Sequence, residues 1–178
     1  IDYVAVQTYN PYTGEPITAV MAESLLGAYL DPDHEVKEGE LPAYDKEAKH
    51  CPWKIVDRMK GADLVGIHYK QLMPWVKPCE KVSQYSHAFV NEYAAAHPEK
   101  VFQGADGRDQ FVEMSDAAFR VIPGDYVTTE DGTGIVHTAS TFGADDAKVC
   151  NDAGIPALYL ISKKGETRPM VDLQGKYY

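Results

Sequence analysis

Cysteine, positive charge and long apolar runs are all scarce in this sequence. Its three cysteines lie far apart and form no Cys-x-x-Cys pair. A disulfide framework or a structural zinc site is therefore not expected, and a reducing cytoplasm fits best. Lysine and arginine total 17 against 27 aspartates and glutamates, a net charge of −10 that argues against a broad nucleic-acid-binding face. No run of eighteen apolar residues occurs, so we expect no membrane span, and no signal peptide is visible.

The composition is that of an ordinary globular protein. A chain of 178 residues with 44% hydrophobic residues is long enough to bury a core. The sequence therefore predicts one domain over residues 1–178. It opens in a strand-like run at Ile1 without a methionine, which suggests a piece of something longer.

Short β-branched and aromatic runs, separated by glycine and proline turns, dominate the sequence. This pattern predicts a mainly β fold with peripheral helices, an α+β class built around a small barrel or sandwich. Helices are expected at 22–30 and at 87–97, the second capped by Ser86, with 76–110 forming a peripheral helical insert. Strands are predicted at 1–9, 17–21, 53–59, 64–69, 111–114, 118–122, 157–161 and 168–173.

The stretch 125–146 contains the residues that point to chemistry. Residues 126–129 are β-branched and aromatic, and Gly132 and Gly134 tolerate the positive φ of a tight turn. We therefore expect a hairpin whose return strand is 135–139.

A helix is expected to follow this hairpin, from Gly143 to Ala153 with Gly154 as its stop. Asp145 and Asp146 then fall in its first turn, where exposed N–H groups and the helix dipole favour a carboxylate. The stretch would thus bring the His137 imidazole and two carboxylates towards one loop.

Taken alone, this pattern favours a plain interpretation, because short motifs give many false matches. His137 would be a satisfied histidine in a sheet, and the two acids would cap a helix. A divalent metal ion held by His137, Asp145 and Asp146 is another possible use of these ligands. Their spacing, however, matches no metal motif.

The motifs of this region resemble those of one enzyme family. Gly-Thr-Gly-Ile-Val-His-Thr-Ala at 132–139, followed by Phe-Gly-Ala-Asp-Asp at 142–146, is similar to the signature of the editing domain of isoleucyl-tRNA synthetases, called connective peptide 1. The segments 61–75, 118–127 and 168–178 resemble other parts of that domain in the same order. The resemblance covers most of the chain. Ser140 departs from it, since the family usually has proline there.

The resemblance implies a fold and an activity. The fold would be the distorted closed β-barrel shared by the editing domains of valyl-, isoleucyl- and leucyl-tRNA synthetases. A pocket built for isoleucine discriminates poorly against valine, which is one methylene smaller. A second, smaller site would therefore hydrolyse mischarged Val-tRNA(Ile), through attack by a positioned water on the aminoacyl ester.

The resemblance also implies roles for individual residues. Asp146 would bind the α-ammonium of the substrate through a charge-assisted hydrogen bond, and His137 would lie beside the amino-acid side chain. Asp145 is the less favoured acid and could cap the helix instead. The other substrate-binding candidates would line the pocket or let the backbone approach it: Gly132, Gly134, Thr138, Ala139 and Phe142.

The implied partners are the 3′ end of tRNA(Ile) carrying valine and the remainder of the synthetase in the same chain. No cofactor is expected in this segment, whereas the parent synthetase would use ATP, with zinc as a further candidate. The family's threonine-rich segment is expected just before Ile1, so we predict little or no editing by the isolated segment. A non-catalytic docking module for the tRNA end and a structural spacer are the alternative functions.

Overall fold

The computed structural model describes residues 1–72, 74, 77–105, 107–161, 167 and 168. The chain divides into two compact units, the first formed by 1–66 with 122–137 and the second by 67–121 with 138–178. Both contain a three-stranded antiparallel sheet, so the described fold is mainly β with a few helices. Organisation as one domain, and closure of strands into a barrel, stay predictions.

The first unit is built on strand β1 (Asp2–Tyr9), which lies between β2 (Pro16–Ala22) and β3 (Lys54–Lys60). The first two strands, both predicted, pair as an antiparallel hairpin. Its turn is closed by the Asn10 side chain, whose Oδ1 accepts the backbone N–H groups of Tyr12 and Thr13 at 2.9 and 3.2 Å. An asparagine that bonds to its own turn in this way favours a chain reversal.

Both faces of β1 are covered, which explains why four consecutive residues at 3–6 are buried. One face packs Val4 and Val6 against Met21 and Trp53, and the other packs Tyr3 against a separate apolar cluster. The predicted helix at 22–30 is confirmed as a 3-10 turn at Glu23–Leu25 that continues into α1 (Leu26–Tyr29). A further helical turn, α2 (Gly61–Leu64), follows β3 directly.

The second unit contains the sheet β4-β6-β5, made of Cys79–Val82, Gln110–Glu113 and Val101–Gln103 respectively. Helix α3 (Ala88–Ala96) packs on it through a buried cluster of Val90, Ala94, Val112 and Met114. The segment 76–110 thus supplies a helix, as predicted, together with two of the three strands. Its helix starts one residue later than expected, because Ser86 Oγ donates to the Lys81 carbonyl instead of capping.

Several predicted strands are wrong. Residues 126–129 and 135–139 form turns and irregular backbone, not the two arms of a hairpin. Residues 64–69 and 118–122 form no strands either. They are joined at an isolated bridge between His68 and Arg120, with Tyr69 N–H donating to Phe119 O at 2.8 Å and Val121 N–H donating to Ile67 O at 2.9 Å.

The predicted C-terminal helix is confirmed as α4 (Ala144–Asp152), with Gly143 at its N-cap and Gly154 (φ +68°) just past its end. Strands β7 (Leu160–Ile161) and β8 (Thr167–Arg168) then pair antiparallel. Of the predicted strands at 157–161 and 168–173, only 160–161 and Arg168 are confirmed; 157–159 form no strand, and 169–173 lie outside the described residues. Within the described part of the chain, no helix has the length and apolar character needed to cross a membrane.

Candidate functional site

The eight candidate residues fall in both compact units. Gly132, Gly134 and His137 belong to the first unit, and the other five belong to the second. His137 ends its unit in sequence, and its side chain is exposed.

Asp146 occupies the third position of α4 and ties the helix to the preceding loop. Its Oδ2 accepts the backbone N–H of Ala139 at 3.0 Å, and the side chain is half-buried. Gly143, at the N-cap, has no side chain to satisfy the first N–H groups of the helix. Asp145, one residue earlier, is exposed. The two adjacent acids are thus not equivalent: one holds a loop, and the other faces solvent.

The loop that Asp146 holds is a tight turn. Phe142 N–H donates to the Ala139 carbonyl at 3.0 Å, so both backbone groups of Ala139 are engaged locally. Thr138, Ala139 and Ser140 are partly buried, whereas the Phe142 side chain is 75% exposed. An exposed ring beside an anchored carboxylate is an arrangement that can present an apolar face and a negative charge to the same ligand.

The far end of α4 is fixed by a residue that the sequence analysis did not single out. Arg120 Nη2 donates to the carbonyl of Ala153, the C-cap residue, and its Nε donates to the Ala117 carbonyl at 3.1 Å. The last carbonyls of a helix lack partners within the helix, and a cation there also complements the dipole. No spacing rule links residues 33 positions apart, so no sequence signal indicated this contact.

Cys150 lies one turn after Asp146 and is buried, with 2% of its surface exposed. Burial, with the Asp146 charge as the second cause, raises the pKa of the Cys150 thiol. Burial also raises the pKa of the nearby Tyr69 hydroxyl, with Cys150 as a smaller cause. The buried side of α4 is therefore apolar, while its first turn is acidic.

In the first unit, Gly134 packs against the unit's own strands. A Cβ placed there would lie 2.7 Å from the Cβ of Ala22 and 3.5 Å from a ring carbon of Tyr3. The Tyr3 hydroxyl donates to the Gly134 carbonyl, and Ala22 N–H donates to the Thr133 carbonyl at 2.8 Å. The glycine permits this close approach to the strands, and Gly134 itself is buried.

Gly132 differs from Gly134 in its surroundings. Both have positive φ, +69° and +74°, but a Cβ at Gly132 would have no neighbour within 4 Å. Its N–H donates to the side chain of Asp131 at 2.6 Å. Gly132 is exposed and is required for its turn conformation alone.

The candidate residues include possible metal ligands, namely His137, Asp145 and Asp146. In the part of the chain that the structure describes, no group of three or more histidine, cysteine, aspartate or glutamate side chains could hold a metal ion. This finding gives no support to a metal site built from His137 and the two aspartates. A groove of about 200 Å³ lies elsewhere in the first unit, and it is lined by Asp2, Tyr3, Glu23, Arg58, Met59, Lys60 and Asp63.

The relatives of this chain include several isoleucine–tRNA ligases. No family model matches the sequence. The isoleucine–tRNA ligase of Bacteroides thetaiotaomicron is 53% identical over 178 residues, which are 100% of this chain and 13% of that protein. Those of Bacteroides fragilis and Porphyromonas gingivalis are 49% and 44% identical over 178 and 179 residues, again 100% of this chain and 12% of each protein. The chain thus spans about an eighth of the length of these relatives. Over its whole length it is homologous to one segment of isoleucine–tRNA ligases.

Proposed function

We propose that this chain is the editing domain of an isoleucyl-tRNA synthetase and hydrolyses Val-tRNA(Ile). The full-length protein would be an isoleucine–tRNA ligase that uses ATP, as the name shared by its relatives suggests. The segment itself would need no cofactor. Its partners would be the remainder of that synthetase and the 3′ end of the tRNA.

The anchored carboxylate of Asp146 is the main structural support for this function. An aminoacyl ester carries a free ammonium group, and its recognition calls for an ionised acceptor in a fixed position. The hydrogen bond from Ala139 N–H to Oδ2 orients the carboxylate. Oδ1 would then receive the substrate ammonium. Phe142, which is exposed beside this loop, would contact the substrate.

Three further candidates would lie near the reacting ester. Thr138 and Ala139 would line the pocket, and His137 would lie beside the amino-acid side chain and help to exclude isoleucine. A water molecule positioned by the site would attack the ester carbonyl, so that orientation and electrostatics supply most of the rate enhancement. In this proposal, strands of the domain also close into the distorted barrel of the synthetase editing domains.

The net charge of −10 is compatible with this function. A domain that receives only the flexible, single-stranded end of a tRNA needs few phosphate contacts of its own. The rest of the synthetase would supply most of the cationic contacts that give tRNA affinity.

The test is hydrolysis of Val-tRNA(Ile) and Ile-tRNA(Ile) by the full-length protein, with Asp146→Ala as the test variant. Loss of one charge-assisted hydrogen bond should lower the rate for the valyl ester about 10- to 150-fold. Aminoacylation should be unchanged.

Asp145→Ala is the matched control for this experiment, because it removes a neighbouring charge from the same helical turn. Its side chain is exposed, so we expect nearly wild-type hydrolysis. If the wild-type protein hydrolyses neither ester, the domain is a docking module or a spacer. Equal effects of the two variants would contradict the specific role of Asp146.

A further inference from the structure

We propose that Arg120 is a positioning residue that sets the location of the Asp146 carboxylate by holding the opposite end of α4. Only the expected change in the rate of Val-tRNA(Ile) hydrolysis rests on the proposed function. The positioning of Asp146 concerns contacts within the second unit and can be tested without any activity.

Helix α4 is held differently at its two ends. At the N-terminus the N-cap is a glycine without a side-chain hydrogen bond, and Asp146 is bonded to Ala139 N–H. At the C-terminus the Arg120 guanidinium binds the Ala153 carbonyl. Ile155 N–H also donates to the Cys150 carbonyl at 2.8 Å there. The C-terminal end is therefore held by a side chain from outside the helix, and Arg120 can influence the position of Asp146 through it.

Arg120 is suited to this role because it is itself fixed. Its Nε donates to Ala117 O at 3.1 Å, so one planar guanidinium joins two carbonyl groups, and the side chain is partly buried. Its backbone forms a bridge with His68, and the next residue, Val121, donates its N–H to Ile67 O at 2.9 Å. A movement of Arg120 would require breaking these backbone contacts.

The proposed effect is geometric and acts through the helix. Asp146 and Ala153 are separated by about 10 Å along the helix axis, at 1.5 Å per residue. A charge effect over that distance is weaker than one between contacting groups, and a charge-removing control on the same helix measures it separately. A tilt of the helix about its C-terminal end, in contrast, would displace the carboxylate relative to Ala139.

Lys148 provides a matched control on the same helix. Its ammonium pairs with Asp152 at 2.6 Å in an exposed i, i+4 pair, with side-chain exposures of 75% and 66%. Lys148→Met removes a positive charge that is closer to Asp146 in sequence than Arg120 is. Exposed pairs of this type contribute little to stability. If charge alone matters, Lys148→Met should have at least as large an effect as Arg120→Gln.

The first measurement is amide hydrogen exchange of a peptide covering 138–142 in the full-length protein. Asp146→Ala removes the acceptor of Ala139 N–H and sets the upper limit of exchange. Arg120→Gln should raise exchange about tenfold, the size expected for a lost hydrogen bond to a charged group. Lys148→Met should leave it unchanged, and Arg120→Gln should add nothing in the Asp146→Ala background.

The second measurement is the kcat and KM of Val-tRNA(Ile) hydrolysis for the same variants. A displaced carboxylate should lower kcat/KM about tenfold, since small errors in placement are costly in catalysis. Again, the change should disappear when Asp146 is already alanine. Arg120→Lys keeps the positive charge but lacks the planar guanidinium, which joins two carbonyl groups, so its hydrolysis rate should recover only in part. If Arg120→Gln does not fold, Arg120→Lys is the test variant.

The outcomes separate this proposal from the proposed function. Unchanged exchange in Arg120→Gln, full recovery by Arg120→Lys, or effects that multiply with those of Asp146→Ala would each overturn the positioning role. If exchange responds as expected but Asp146→Ala leaves hydrolysis unaltered, Arg120 still positions Asp146 and the editing function is refuted instead.

Discussion

Substitution of Gly134 by alanine should destabilise the protein strongly, and the structure gives the size of the effect. Alanine at φ +74° costs about 1–2 kcal/mol, because its Cβ crowds the backbone in the left-handed region. The new Cβ would also lie 2.7 Å from the Cβ of Ala22, an approach that requires the β2 backbone or the loop to move. Overpacking of this kind costs about 1–3 kcal/mol. The total is about 2–5 kcal/mol.

Gly132→Ala is the matched variant that separates the two contributions. Its φ of +69° gives the same strain, but the new Cβ would meet nothing within 4 Å. The entropy that any Gly→Ala change removes from the unfolded chain is common to both variants and cancels in their difference. The difference between the two free energies of unfolding should therefore be about 1–3 kcal/mol.

Urea unfolding of the two variants measures this difference from the midpoints, provided that the slope is unchanged. In a thermal melt the same difference corresponds to about 2–12 °C, given the 2–4 °C per kcal/mol typical of this chain length. Equal midpoints for Gly132→Ala and Gly134→Ala would refute the close packing of Gly134 on Ala22. A greater loss in Gly132→Ala would do so as well.

Three further predictions concern one buried and two partly buried side chains. Phe111→Ala should lower the free energy of unfolding by about 3–5 kcal/mol, because Phe111 is fully buried. Phe102 is 41% exposed, so urea midpoints should show a much smaller loss of stability for Phe102→Ala. Burial raises the pKa of the Cys79 thiol to about 11, so its alkylation at pH 8 should be about 100-fold slower in the native than in the unfolded protein. Burial likewise raises the pKa of Glu80, although its hydrogen bond from Ala157 N–H opposes the shift. The folded protein therefore loses stability as pH rises through the unfolded pKa of Glu80, because the carboxylate must ionise while partly buried. On going from pH 7 to pH 4, the wild-type protein should gain stability relative to Glu80→Gln. Urea midpoints of both proteins at the two pH values measure this gain.

The predictable parts of the fold are those set by local chemistry. The β1–β2 hairpin follows from two apolar strands and an asparagine turn, and α4 follows from its glycine boundaries at 143 and 154. The placement of Asp145 and Asp146 in the first turn of that helix is confirmed for the same reason. These features depend on contacts only a few residues apart.

The failed strands at 126–129 and 135–139 show what the sequence could not reveal. Their β-branched residues favour extended structure, but strand propensity depends on having a partner strand. Here the carbonyls of the intervening loop bond to the first two strands: Gly134 O accepts from the Tyr3 hydroxyl of β1, and Thr133 O accepts from Ala22 N–H of β2. Just before 65–69, the chain leaves β3 through α2, whose first turn is capped by the Asp63 side chain, which accepts Lys60 N–H at 2.8 Å.

The site was only partly predictable for a related reason. The acidic helix start could be read from the sequence, because caps and first-turn acids are local features. The loop partner of Asp146, seven residues earlier, could not be identified from residue type, since that contact uses a backbone N–H. Arg120 was missed because its partners are backbone carbonyls as well.

The interleaved order of the two units has a consequence for synthesis on the ribosome. The first unit needs residues 122–137, so its three-stranded sheet has to wait for a distant segment before it is covered. At 5–20 residues per second, the roughly 70 intervening residues take about 4–14 s to be made. During that interval Tyr3 and Ala22 lack the carbonyl partners that Gly134 and Thr133 later supply. The nascent sheet is therefore open to chaperones and proteases throughout that interval.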